Sequence, residues 1–172
     1  SLVNNGDLTV KQRKKVLYDM TDDVADIVIT DCYRQTQSIS ITHLSGVKQL
    51  KEQLRFIHGL EREGALNREL EFIPSDDEIS ERVVTGQGLT RPELSVLIAY
   101  GKMVLKDAFN IDAITTNKYY EKHLINAFPP MLREKYQAQM QEHPLRSEII
   151  ATKLTNEIVN DMGLNFVFRL QE

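Results

Sequence analysis

Apolar positions recur at spacings of three and four along most of the chain, the period of helices buried on one side. Val47, Leu50, Leu54 and Ile57 form one narrow stripe, with Lys48, Lys51, Glu52 and Arg55 on the opposite side. Leu145, Ile149, Ile150, Leu154, Ile158, Val159 and Met162 form another, opened by Pro144 and closed by Gly163. Between Arg91 and Phe109 the pattern broadens. Leu94, Val96, Leu97, Ile98, Tyr100, Met103, Val104, Leu105, Ala108 and Phe109 cover most of a helix circumference, which predicts the central helix of the domain.

Local signals place the ends of these helices. Thr9 is positioned to cap a helix over Val10–Met20. Thr21 is read as the cap of the next helix, with Asp22 and Asp23 in its dipole-favoured first turn. Val24, Ile27, Val28 and Cys32 then share one face. Ser38–Thr42 alternates with period two and would suit a strand, but it is read as helix because no partner strand is visible nearby. Ser45-Gly46 breaks the chain, and the short connection predicts an antiparallel helix pair. Gly64 is a helix stop, and residues 65–74 read as a connection ending at Pro74. Ser75–Glu78 and Thr90–Glu93 are capping boxes, the second with Pro92 in the first turn. Residues 110–116 read as a polar connection, Tyr119 to Leu124 as a short helix and Met131 to Met140 as one helix. The tail holds Phe166, Val167, Phe168 and Leu170, too apolar as a group to stay in water, and is expected to pack back onto the domain, another copy or a missing core.

These elements predict an all-α fold, a multi-helix orthogonal or bundle-like domain of about seven to nine helices around the buried helix near 91–109. The division expected is an N-terminal helical segment, 1–64, containing the antiparallel pair, and a C-terminal helical subdomain, 75–172. The two are expected to form one compact unit cut from a longer chain.

Composition narrows the setting. The chain has 172 residues, one domain's worth, and 41% are hydrophobic, enough for a core. Its net charge of −4 speaks against a nucleic-acid binder built on a broad basic surface. The single cysteine, Cys32, excludes an intramolecular disulfide and fits a reducing, cytoplasmic location. The most apolar stretch, Leu94 to Phe109, carries Lys102, Lys106 and Asp107 and is too short for a membrane span. Ser1 opens no targeting signal and reads as the cut end of a longer protein or a processed end.

Candidate chemistry is sparse. His43, His58, His123 and His143 stand far from one another and from Cys32, so no local metal spacing exists. Cys32 is read as a buried, inert thiol on its helix's apolar face. Asp22, Asp23, Asp26 and Asp31 match no calcium loop. Gly86-Gln87-Gly88 lacks the preceding strand and third glycine of a dinucleotide turn and reads as a helix connector. Lys11-Gln12-Arg13-Lys14-Lys15 reads as a solvated face. No lysine stands out as lying in an apolar cluster flanked by acids. From its residues the chain is a soluble helical domain with no catalytic, cofactor-binding or metal-binding residue to assign. Two further readings stay open: a free-standing helical interaction module with a partner-helix groove, and a helix-turn-helix nucleic-acid binder using Lys11–Lys15, which the charge disfavours.

Six segments in order carry a resemblance. They are Gly6–Arg13, Met20–Val24, Leu60–Gly64, Phe72–Glu78, Gly88–Lys102 and His143–Thr152, with Asn156, Val159-Asn160 and Gly163 beyond the last. Together they resemble the C-terminal region of the large bacterial NAD-specific glutamate dehydrogenases. The resemblance implies a parent enzyme that oxidises L-glutamate to 2-oxoglutarate and ammonia, with NAD taking the hydride. It implies that the dinucleotide loop, the catalytic lysine and aspartate and the substrate-binding residues belong to an upstream core ending just before Ser1. The expected partners are that core of the same chain and other subunits of a homo-oligomeric parent, with no nucleic acid and no membrane. NAD is expected in the parent and no cofactor in this part, whose role would be structural, assembly-related or regulatory.

Overall fold

The computed structural model describes residues 6, 8–109, 113–114, 117–163 and 166–167. Among them are ten α-helices and no strand. They run α1 (Val10–Asp19), α2 (Thr21–Leu44), α3 (Leu50–Arg62), α4 (Arg68–Glu71), α5 (Asp76–Val84), α6 (Arg91–Ala108), α7 (Glu121–Asn126), α8 (Pro130–Lys135), α9 (Gln137–Gln141) and α10 (Arg146–Met162). Tighter 3-10 turns, Gly46–Gln49 and Lys118–Tyr120, lead into α3 and α7. The all-α expectation is met, and Ser38–Thr42 is helical within α2. No described helix is long and apolar enough to cross a membrane.

The three capped starts fold as their residues dictate. Thr9, Ser75 and Thr90 each accept from the backbone N–H three residues on, and Gln12, Glu78 and Glu93 each return a side-chain oxygen to the cap's own N–H. Gly64 and Gly86 close α3 and α5 with the same hydrogen-bond pair. Ala65 N–H reaches Leu60 O and Gly64 N–H reaches Glu61 O; Gln87 N–H reaches Arg82 O and Gly86 N–H reaches Val83 O. This end needs a left-handed residue, and the two glycines sit at φ 70° and 74°.

Several boundaries differ from the sequence reading. Thr21 is not a cap: its hydroxyl donates back to Leu17 O, 3.2 Å away, so that only Met20 separates α1 from α2. A Ser or Thr hydroxyl bonding one turn back is a within-helix habit. The connection 65–74 contains α4, started by the Asn67 side chain accepting from Glu69 and Leu70 N–H. The Met131–Met140 helix is broken at Tyr136, whose φ of −127° leaves the helical range. These extra pieces raise the count above nine.

The main core joins Leu50, Phe56, Ile57 and Leu60 of α3 to Leu66, Ile73, Ile79 and Leu89, to Leu94, Leu97, Ile98 and Leu105 of α6, and to Val159 and Val167. Each such side chain, fully buried, is worth about 1.5–3 kcal/mol of transfer free energy. A second cluster forms around Ile114, Leu124 and Ile150, with Phe109, Tyr120, Phe128, Ile149 and Leu154 against it. Helix α10 serves both, through Val159 and Ile158 in one and Ile150 and Leu154 in the other. It packs on α2, α6 and α7. Helix α6 is less enclosed than its pattern suggested: Leu94, Leu97, Ile98, Gly101 and Leu105 are buried on one broad face, while Ala99 and Met103 are exposed. Of the tail, Val167 is fully buried in the main core; Phe168 and Leu170 lie outside the described residues.

Candidate functional site

Helices α3, α4 and α5 meet at a charged corner. Arg68, on α4, donates to Glu61 Oε2 at 2.8 Å, to Asp76 Oδ1 at 2.8 Å and to the carbonyl of Pro74 at 3.1 Å. His58 Nε2 lies 3.0 Å from Asp76 Oδ2. The Arg68 and His58 hydrogen bonds hold the Asp76 carboxyl below its usual range. Burial works against the Arg68 charge, but its two carboxylate partners overcome that and raise its pKa. Ser75 lines the same shallow crevice, so a serine, a histidine and an aspartate stand together. The hydroxyl is already committed, donating to Glu78 Oε2 at 2.9 Å and accepting from Glu78 N–H. Nothing orients that hydroxyl toward the imidazole, so the corner is a clasp binding three helices rather than a nucleophile and its base.

A second clasp joins α5 to α6. Arg82 donates both to Glu93 Oε1 at 3.0 Å and to Oε2 at 2.8 Å, and Thr90 N–H donates to Glu93 Oε2 at 2.7 Å. Burial pushes the Glu93 carboxyl up, yet these donors outweigh it and hold it below its usual value.

Lys102 corrects the expectation for the lysines. It lies half-buried between α6 and α2, its Nζ donating to Gln35 Oε1 at 2.9 Å. Burial lowers its pKa, against the opposing pull of Asp31 and Cys32. Residues 67 positions apart meet here, a pairing that helical periodicity cannot show.

The remaining sequence candidates stay apart. His43 Nδ1 lies 3.0 Å from Leu89 O, His123 Nδ1 lies 3.1 Å from Glu157, and His143 Nδ1 accepts from Leu145 N–H. No group of three or more His, Cys, Asp or Glu among the described residues is arranged to hold a metal ion. The run Lys11–Lys15 is exposed throughout on α1. Gly86-Gln87-Gly88 connects α5 to α6, as its flanks predicted. NAD does not fit there: Gly88 is pressed against the Gly46 backbone, and a helix rather than a strand precedes the loop.

Helix α1 and the first half of α2 hold no buried residue; the first is Ser38, whose hydroxyl reaches toward Val159 O. Cys32 is exposed, and so are Val24 and Val28, which were expected to pack inward. The face is apolar as read, but only Ile27 on it is half-buried, and no described helix covers the other three. Ile29 and Tyr33 extend it along a neighbouring row.

Residues 86–172 match the family model described as glutamate dehydrogenase, C-terminal. The chain belongs to this glutamate dehydrogenase family. Residues 1–42 match a second model, the catalytic domain of bacterial NAD-glutamate dehydrogenase. The catalytic-domain match therefore reaches into α2, which corrects the expectation that the core ends before Ser1. The chain is similar to the NAD-specific glutamate dehydrogenases of Halomonas elongata, at 44% identity, and Pseudomonas aeruginosa, at 43%, each over 99% of this chain. It is 34% identical over its whole length to the NAD-specific glutamate dehydrogenase of Mycobacterium tuberculosis. It spans 11% of the length of each of these glutamate dehydrogenases. No solved structure matches it.

Proposed function

We propose that this chain is the C-terminal helical part of a cytoplasmic, homo-oligomeric NAD-dependent glutamate dehydrogenase, and that it supports assembly of the enzyme without taking part in the chemistry. The parent reaction converts L-glutamate, NAD⁺ and water to 2-oxoglutarate, ammonium, NADH and a proton. The order of the two family matches carries this reading: catalytic domain first, over 1–42, and C-terminal family second, over 86–172. The titratable clusters favour a supporting role. Arg68 spends its hydrogen bonds on Glu61 and Asp76, and Arg82 on Glu93, in each case between helices. Hydride transfer needs a held nicotinamide and a positioned acid or base, and these clasps offer neither.

The test is kinetic. The 172-residue chain, mixed with glutamate and NAD and followed by NADH absorbance, is expected to stay at background. Turnover in a preparation free of host enzyme would overthrow the reading. Removing the segment equivalent to 90–172 from the longer enzyme is expected to cost soluble assembly or activity. Unchanged activity and oligomeric size after that deletion would remove the assembly role.

A further inference from the structure

We infer that the exposed apolar face of α2, from Val24 to Tyr33, is the seat of the catalytic domain of the same polypeptide. This rests on the function proposed above. Val24, Val28, Ile29 and Tyr33 are 44%, 55%, 65% and 63% exposed. Val24 and Val28 stand four residues apart, as do Ile29 and Tyr33, so the two pairs form adjacent rows on one side of the helix. Cys32 continues the first row. The strip is about 14 Å long at 1.5 Å per residue. Asp22, Asp23 and Asp26 stand near one end of it, which gives an apolar centre a charged margin.

The occupant follows from where the family matches fall. The catalytic-domain match, 1–42, covers α1 and nearly all of α2, and up to Gln37 that stretch gives no described side chain to the core. The core is built from Leu50 onward, and the C-terminal family match begins at residue 86. Most of the stretch matched to the catalytic domain thus stays outside the core, which it joins only from Ser38 and Ile39 on, although Leu8 and Val16 share a crevice with Met131 and Tyr136. The similar dehydrogenases are long enough to supply the cover, since this chain is 11% of their length.

Cys32 supplies the probe, because it is exposed on the strip and is the chain's single cysteine. Its alkylation by iodoacetamide is to be followed by peptide mass spectrometry, in this chain and in the longer enzyme. The expected result is a slowing of tenfold or more in the longer enzyme, largely restored there by Ile29→Asp. A milder variant, Val28→Ser, serves if that one does not fold, and the wild-type comparison stands without either. Equal rates in the two wild-type proteins would overturn the proposal. So would slowing within this chain alone that grows with concentration alongside a doubled mass in solution, which would assign the face to a second copy. Dehydrogenase activity is not the readout, so an inactive parent would count against the proposed function and leave this test intact.

Discussion

A Cβ placed on Gly88 would lie 2.8 Å from both the carbonyl carbon and the carbonyl oxygen of Gly46. The loop between α5 and α6 and the turn after α2 thus meet backbone to backbone. Beside them the His43 ring bonds the carbonyl of Leu89 at 3.0 Å. A contact between two backbones cannot be relieved by a rotamer change.

Gly88→Ala is therefore expected to destabilise the chain by about 1–3 kcal/mol, the usual cost of overpacking. Urea unfolding measures it. Gly86→Ala, with open space but φ of 74°, separates strain from contact and is expected to cost about 1–2 kcal/mol. A Gly88→Ala variant as stable as the wild type would show that the two loops do not touch.

The Arg82–Glu93 clasp sets an acid limit. The Glu93 carboxyl is held below its unfolded value, so its contribution is present above that value and is lost as pH falls through the folded one. Asp76 acts in the same direction. Stability is expected to decline below about pH 4, near the ordinary carboxylate range. Arg82→Ala leaves a buried carboxylate with fewer donors and is expected to cost about 1–3 kcal/mol at neutral pH. It should also flatten the acid decline, which thermal melts from pH 3 to 7 would follow. An unchanged profile would mean that the clasp adds nothing.

Leu97 is fully buried in α6. Leu97→Ala is expected to cost about 2–5 kcal/mol. Leu97→Asp, which adds an unpaired charge, is expected to prevent folding. Circular dichroism with urea titration distinguishes the two outcomes, and an unshifted midpoint in either variant would place Leu97 at the surface.

Val167 lies in the same core although it stands only five residues from the end of the chain. Val167→Ala is expected to cost about 1–2 kcal/mol from lost methyl burial. Truncation after Gly163 should cost at least as much. Solvent-averaged amide signals at Phe166 and Val167 would contradict this packing.

What was legible in the chain was local. The caps at Thr9, Ser75 and Thr90 and the stops at Gly64 and Gly86 each rest on a few consecutive residues, and each holds. Periodicity misplaces the α3 stripe: Gln53, Phe56 and Leu60 are buried as well, and Val47 is exposed in the turn before the helix. The break at Tyr136 carries no proline or glycine to mark it. The largest misreading was in α2, where Val24, Val28 and Cys32 form a true apolar face. Periodicity shows that a face is apolar, and it does not show whether the covering partner lies in the same stretch of chain. Lys102 was missed for a related reason, since its burial and its acid neighbour come from α2, remote in sequence.

Helix α2 joins the stretch matched to the catalytic domain to the stretch that forms the core, and the catalytic-domain match stops at residue 42, inside Thr21–Leu44. The catalytic-domain match thus ends inside a continuous helix rather than in a loop. From Ser38 back to Thr21 the helix is about 25 Å long at 1.5 Å per residue. A tilt of about five degrees at Ser38 moves the Thr21 end by about 2 Å, by the same geometry. Any repacking around Ser38 and Val159 that tilted α2 would in this way be magnified at Thr21.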